Sequence, residues 1–460
     1  MWAAFTFFHQ SKPAFWTRTP LEALQTAAAI FVLFRPTSLS AFLALVFLQL
    51  ADLLYTLPYI TNHSMFAMFV NLTIALAVLV HAIRNPGVAL QKGRLLRLFA
   101  PALRIQVLIL YFYVVLHKLN ADFLNIAASC AVDHSLHLSA MGARVVGYNL
   151  FPDSDFARMG VIASTLMFEA AIPLLLLWSR TRIAGVALGL LFHYILGVNI
   201  FHDFSGMIFA LYLLFLPANF AERAIECWKS FRARVRHSLS ISVPGGGVPA
   251  GVWLAVAAIS ILVASGNTWG MMHPIFFGIW VLYGLLVMVI FSAVLYSQRS
   301  AFQHAGREFR SHGALLTVAL LVFLNGLAPY VGLKTENSFA MYSNLRTEGG
   351  RNNHLLIPDS FQLFGFQKDL VTIKSSSDEL LRGIADRGTA IPYFVLRTRI
   401  SALAKKGSKN IQVVYTRAGV ERALINAELD PELSARYPWI WRKLLTFRQV
   451  DLKPQQMCRH

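Results

Sequence analysis

The chain has 460 residues, of which 56% are hydrophobic and only 14% charged, and Phe alone contributes 35. Soluble globular domains carry about 25% charged residues, so this composition excludes an ordinary soluble enzyme and points to a multi-pass membrane protein. The net charge of +18 does not indicate nucleic acid as a partner, because no zinc finger, helix-turn-helix or aromatic RNA-binding motif accompanies it.

The N-terminal run MWAAFTFFHQSKPAFW lacks the basic region, apolar core and small-residue cleavage site of a signal peptide. Residues 21–34 are apolar but short for a crossing, and either lie in the interface or add one more span. Apolar blocks of roughly 15–23 residues, the length a helix needs to cross a bilayer, predict nine spans near 37–57, 64–83, 101–118, 156–178, 183–200, 205–219, 248–266, 274–296 and 312–331. Basic residues set the orientation. Arg84, Lys92, Arg94, Arg97 and Arg104 surround the connection before the third span, and Arg180 and Arg182 sit between the fourth and fifth. Arg223, Lys229, Arg232, Arg234 and Arg236 follow the sixth, and Arg299, Arg307 and Arg310 the eighth. All four groups then face the cytoplasm, whereas the loops near 58–63 and 267–273 contain no Lys or Arg.

This topology places the connection 119–155 outside the cytoplasm, and the C-terminal region with it. The chain then divides into an all-α transmembrane domain, 1–333, and a small mixed α/β extramembrane domain, 334–460. Within the latter, DLVTIKS (369–375) and NIQVVYT (410–416) read as strands. Ser377 to Gly388 reads as a short helix with a Ser cap and a terminal Gly. The Pro/Gly-rich stretch at 243–249 reads as a cytoplasmic linker. Cys130, Cys227 and Cys458 form no CxxC pair, and indicate neither a disulfide framework nor a zinc site.

The chemistry-bearing residues gather at the outer helix ends. YFYVVLHKLNADFLN (111–125) ends an apolar helix in His117 and Lys118, followed by Asn120 and Asp122. Lys118 either snorkels to headgroups or is desolvated and available as a neutral base. TNHSMF (61–66) places Asn62 and His63 on the outer turn between the first two spans. His63 is either an interfacial histidine or a donor that steadies developing negative charge. LFHYILGVNIFHDFSGMIF (191–209) carries His193 and Asn199 within a span, followed by His202 and Asp203. Helix–helix hydrogen bonding and substrate binding both remain open for these. Glu169, alone among apolar residues, calls for a histidine, arginine or lysine partner, or for a proton. MYSNLRTEGGRNNHLLIP (341–358) packs Asn344, Arg346, Glu348, Gly349, Gly350, Arg351 and His354 into a short space, either as a hinge or as a cover over a membrane pocket. His134 and His137 form an HxxH pair, but a di-iron oxygenase needs several dense histidine boxes. The short sixth span leaves a transporter as an alternative.

TNHSMF, HKLNADF, the run from His193 through Asn199 to Met207, and MYSNLRTEGGRNNHLL occur in an order that resembles the vitamin K-dependent gamma-carboxylase family and its bacterial relatives, the HTTM membrane proteins. The resemblance covers roughly residues 20–355. It implies an integral membrane enzyme, lyase-like and of bacterial type, in which Lys118 is the catalytic base and His63 assists it. Asn62, Asn120, Glu169, His193, Asn199 and Arg346 are then the candidate substrate-binding residues. It also implies a lipid-soluble cofactor, reduced vitamin K or a menaquinol-type hydroquinone, and no metal. In the implied reaction the deprotonated quinol reacts with oxygen and collapses through a strong base to an epoxide. That base then removes a γ-proton from a glutamyl side chain of a peptide or protein substrate, which takes up carbon dioxide. A dry membrane pocket protects both reactive species from water. Asn120 stands where the carboxylase has Asp, and Phe123 where it has Trp. The C-terminal region is shorter than in the animal enzyme and shows no clear equivalent of its propeptide-binding part. The quinol-oxidising half is therefore implied more strongly than the carboxylating half. The same family resemblance also admits a non-enzymatic accessory or maturation factor. The expected location is a bacterial inner membrane with the C-terminal domain outside the cytoplasm.

Overall fold

In the computed structural model, residues 1–10, 20–149, 151–217, 219–239, 269–298 and 309–458 are described. The chain is mostly helical, and a small antiparallel sheet follows near the C-terminus. The helices are α1 (Trp2–Gln10), α2 (Pro20–Phe34), α3 (Leu39–Thr56), α4 (Asn62–Arg84), α5 (Lys92–Lys118), α6 (Cys130–Val146), α7 (Asp155–Leu177), α8 (Arg182–Leu196), α9 (His202–Tyr212), α10 (Phe220–Leu239), α11 (Trp269–Gln298) and α12 (Gly313–Leu327).

Among the described residues five helical stretches are long and apolar enough to cross a membrane: α3, α4, α5, α7 and Gly278–Tyr296 of α11. The other four of the nine expected spans do not meet that length and composition among the described residues. The expected span at 248–266 lies outside the described residues. The expected spans 183–200 and 205–219 become the 15-residue α8 and the 11-residue α9, separated by a π-helical turn at Gly197–Phe201. The last expected span stops at Leu327, because Pro329 cannot extend the helix and Gly332 turns the chain with φ +79°. Residues 21–34 fall within the 15-residue α2.

The chain divides into two compact units. One comprises Met1–Asp52, Ala67–Val107 and Ala171–Ala319, and the other Leu53–Phe66, Leu108–Ala170 and Leu320–His460. In the first unit α1 packs on α2 and α9, with Phe8 5.6 Å from the His202 ring and 5.4 Å from Trp280. Helices α8 and α9 fold back on each other: Gly189 lies against the Tyr212 ring, where a Cβ would collide. Polar side chains inside this unit pair with one another, as apolar surroundings require. Gln49 Oε1 accepts from both Trp2 Nε1 and Asn71 Nδ2, and Gln106 donates to Thr73.

In the second unit the sheet has the order β4-β3-β1-β2-β5, entirely antiparallel. Its strands are β1 (Leu370–Ser376), β2 (Thr389–Pro392), β3 (Val413–Arg417), β4 (Val420–Leu424) and β5 (Val450–Asp451). Val371 and Ile373 of β1 and Val413 and Tyr415 of β3 alternate inward, as a half-buried strand demands, onto Leu381, Ile384, Leu396 and Ile400 of two helices. These are α13 (Glu379–Asp386) and α14 (Tyr393–Lys405). The cap of α13 is Asp378, whose carboxylate accepts from Leu381 N. The expected Ser377 instead accepts from Gln412 N and ties the helix entry to the strand β3 segment. Gly388 follows the helix at φ +61°, as a terminal glycine should.

Candidate functional site

The site grows from the C-terminal end of α5. Lys118 is the last residue of that helix, where exposed carbonyls favour a cation. Its side chain does not reach for the surface. Nζ lies 2.6 Å from both carboxylate oxygens of Glu169, in α7. The lysine and glutamate side chains are only 6% and 8% exposed. Beside them the Phe123 ring centre is 5.8 Å from Nζ, and Phe123 packs with Ala131, Val132 and Ile162. The two ionisable groups that stood out within apolar helices are therefore each other's partners.

The residues around Lys118 are committed to holding the backbone. His117 is fully buried. Its Nε2 faces the carbonyl of Ser338 at 3.1 Å and its Nδ1 the Tyr330 hydroxyl at 2.8 Å. A carbonyl only accepts, so Nε2 carries the proton and Nδ1 accepts from Tyr330. Asn120 Nδ2 donates to the carbonyls of His117 and Ser343 at 2.8 and 2.6 Å, and its Oδ1 accepts from Phe123 N at 2.8 Å. An aspartate could not make those two donations, which accounts for the amide at this position. His354 Nε2 donates to Leu116 O, while its Nδ1 accepts from Leu356 N and Ile357 N.

His63 sits in the first turn of α4, with Nε2 3.0 Å from the Thr61 hydroxyl. Thr61 caps the helix by accepting from Ser64 N. Asn62 Oδ1 accepts from Phe339 N at 2.7 Å. Lys118 is thus joined to Glu169, and His63 to Thr61. His193 is buried in α8, its ring 5.3 Å from Phe204 and 6.1 Å from Tyr212. The backbone at Asn199 belongs to the π-helical turn, a type of distortion frequent at functional sites. The Asn199 side chain lies outside the described set. His193 and Asn199 belong to the first unit, Lys118, Glu169 and His63 to the second.

The segment after α12 is unusual. Asn337, Phe339, Tyr342 and Asn344 all have positive φ, between +52° and +66°. Asparagine tolerates this region, but bulky aromatic residues rarely adopt it. The strain is held by local contacts. Phe339 is fully buried against Phe66, and Tyr342 lies 4.6 Å from the His134 ring. Asn344 donates to the carbonyls of Ala128 and Gln456 and accepts from Cys130 N. Arg346 is buried and donates to Lys453 O, leaving Nε without a hydrogen-bond partner among the described residues. Burial pulls its pKa down, the like charge of Arg351 adds to this, and the carboxylates of Glu348, Asp122 and Asp451 oppose it. Glu348 is paired with Arg448 at 2.9 Å.

Four features of this region escape sequence reading. Cys130 and Cys458 form a disulfide with their Cα atoms 4.9 Å apart, which corrects the expectation of no disulfide framework. A separation of 328 residues carries no local spacing signal. Lys334 is 5% exposed and donates to Asn337 O at 3.5 Å; burial lowers its pKa to about 7. Glu336 is pushed upward by burial. Arg448, as the partner of buried Glu348, was foreseeable only as a demand for some cation. His134 of the HxxH pair is pushed down to about 4, first by burial and then by Lys118 and His137.

The chain matches no family model, no curated protein and no solved structure.

Proposed function

We propose that the chain is a multi-pass membrane enzyme similar to the vitamin K-dependent gamma-carboxylase family, with Lys118 as its base. The observation that carries this reading is the burial of Lys118 against Glu169 beside Phe123. An ion pair held this deep costs more desolvation than a structural contact needs, and ionisable groups among membrane helices are functional by default. Transfer of the shared proton from Nζ to Glu169 leaves a neutral amine. That amine accepts a proton from an incoming hydroxyl, and Glu169 retains the first one. The apolar side chains of Phe123, Val132 and Ile162 suit a lipid-soluble aromatic donor and keep water away. Reduced vitamin K or a menaquinol-type hydroquinone, when bound, supplies an acidic hydroxyl and the electrons that reduce oxygen. His63, steadied by Thr61, is the second donor in this reading. Carboxylation of glutamyl side chains in a peptide or protein is the second half of the proposed reaction.

The proposed topology has nine spans, with unit-two residues such as Cys130 and Cys458 outside the cytoplasm of a bacterial inner membrane. The disulfide supports that side, because disulfides persist in oxidising compartments. A second reading, an accessory or maturation factor, is favoured by one observation: Asn62 and Asn120 spend their amides on backbone groups. Quinol oxidation and epoxide formation by the purified protein in detergent separate the two. We expect turnover in the wild type and its loss in Lys118→Ala, with Glu169→Gln impaired. Equal rates in wild type and Lys118→Ala would remove Lys118 from the chemistry, and no turnover in either would favour the accessory reading.

A further inference from the structure

The molecule carries a second membrane-directed element, distinct from its crossing helices. Helix α10 has the sequence FAERAIECWKSFRARVRHSL. At 100° per residue, apolar positions 220, 221, 224, 225, 227, 228, 231 and 235 fall within an arc of about 160°. Five basic residues, Arg223, Lys229, Arg232, Arg234 and Arg236, stand against two acidic ones, Glu222 and Glu226. In the helical register Arg223 and Arg234 border one edge of the apolar arc and Lys229 and Arg236 the other, Arg232 falls just inside that second edge beside Ile225, and the acidic positions lie on the opposite side. Arg223 makes an i,i+3 ion pair with Glu226 at 3.0 Å, so the acids also neutralise part of the polar face.

Two further observations set this helix apart. Its apolar arc is not sealed inside the first unit: Ile225 is 55% and Trp228 53% exposed. The packing of Phe220 on Phe291 of α11 fixes its first turn, with ring centres 5.8 Å apart. Moreover, Phe220–Ser230 makes an angle of 107° with the apolar stretch His202–Phe215 that precedes it. A helix nearly perpendicular to one that enters an apolar layer runs along the surface of that layer. A water-soluble helix has no reason to leave isoleucine and tryptophan exposed on the face rimmed by cations. A helix in the headgroup region does, because its apolar face sinks below the headgroups while arginine and lysine reach up to phosphates.

We infer that α10 lies in the membrane interface and binds anionic phospholipid headgroups through the basic borders of its apolar face. The partner is a bilayer surface carrying phosphodiester charge, not a soluble anion, because apolar burial and charge are supplied by the same face. Each basic residue near such a surface contributes about a further fivefold in partitioning. Neutralising two of them should therefore lower the preference for anionic lipid roughly 30-fold.

The test uses the full chain in lipid nanodiscs of phosphatidylcholine, with or without phosphatidylglycerol. A fluorophore is placed on Ile225→Cys in a Cys227→Ser background, and quenching by lipid-borne nitroxide is compared with quenching by aqueous iodide. We expect lipid quenching to dominate with phosphatidylglycerol, and to give way to iodide quenching in its absence or at high salt. In Lys229→Gln/Arg232→Gln the dependence on phosphatidylglycerol should fall by the stated factor. Should that variant fail to fold, the salt titration of the unaltered charges decides the same point. Iodide quenching in every disc overturns the interfacial placement. Lipid quenching that ignores both phosphatidylglycerol and salt overturns the role of the charges.

Discussion

Replacing Glu169 with leucine removes the carboxylate from Lys118 and leaves an ammonium group almost out of contact with water. At 2.6 Å and an effective dielectric near 20, the attraction between the two charges is about 6 kcal/mol. It is opposed by a desolvation cost of several kcal/mol per ion. Removing one partner abolishes the attraction and leaves the other ion's desolvation cost in place, so Glu169→Leu should destabilise by about 3–5 kcal/mol. Removing both charges removes both terms. Lys118→Met/Glu169→Leu should therefore lie within about 2 kcal/mol of wild type, far from the sum of the single effects. The measurement is a double-mutant cycle on the detergent-solubilised protein, with unfolding followed by thermal or dodecyl sulfate titration. A coupling below about 0.5 kcal/mol, the level expected of sites that do not touch, would refute the buried pair.

Three other outcomes are expected. Alkylation of the denatured, unreduced protein should modify one cysteine, Cys227, and alkylation after reduction all three, read by mass spectrometry; reduction should also cost about 2–5 kcal/mol of stability. Asn120→Asp should destabilise by about 2–3 kcal/mol in the same unfolding assay, because two buried carbonyls lose their donor; an unchanged midpoint would contradict the role assigned to the amide. Lys334 has a folded pKa lowered from 10.5 to about 7. The folded state then binds fewer protons than the unfolded one between those values, and stability rises with pH across that window and is lost as pH falls through about 7. Lys334→Met should abolish this slope and stabilise the protein more at pH 7 than at pH 10, as measured by unfolding at the two pH values.

The membrane class and most helical blocks were legible because twenty-residue apolar runs have few other uses. Lys118 and Glu169 were legible individually, since a charge in such a run demands a partner. Their pairing was not, because a separation of 51 positions carries no periodic signal. Helix ends were less readable: α8 and α9 appear as two long apolar blocks, and only the close approach of Gly189 to Tyr212 shows how tightly the chain turns. The polar cluster at 341–358 was visible as composition. Its role as a fastener, with Asn344 reaching Ala128, Cys130 and Gln456, depends on backbone at positive φ that aromatic residues do not advertise. Ser377 was a reasonable cap, but the adjacent Asp378 provides a charged acceptor and takes the position.

The bond between Cys130 and Cys458 has a consequence in time. At 5–20 residues per second, a ribosome needs roughly 15–65 s to advance the 328 positions from one to the other. Throughout that interval the Cys130 thiol has been made and its partner has not. Cys227 is synthesised in the interval and is the wrong partner. Correct oxidation of Cys130 therefore has to wait until Cys458 has been made. A chain whose synthesis stops short of Cys458 keeps an unpaired thiol at Cys130, by which a thiol-scanning quality-control system can recognise it.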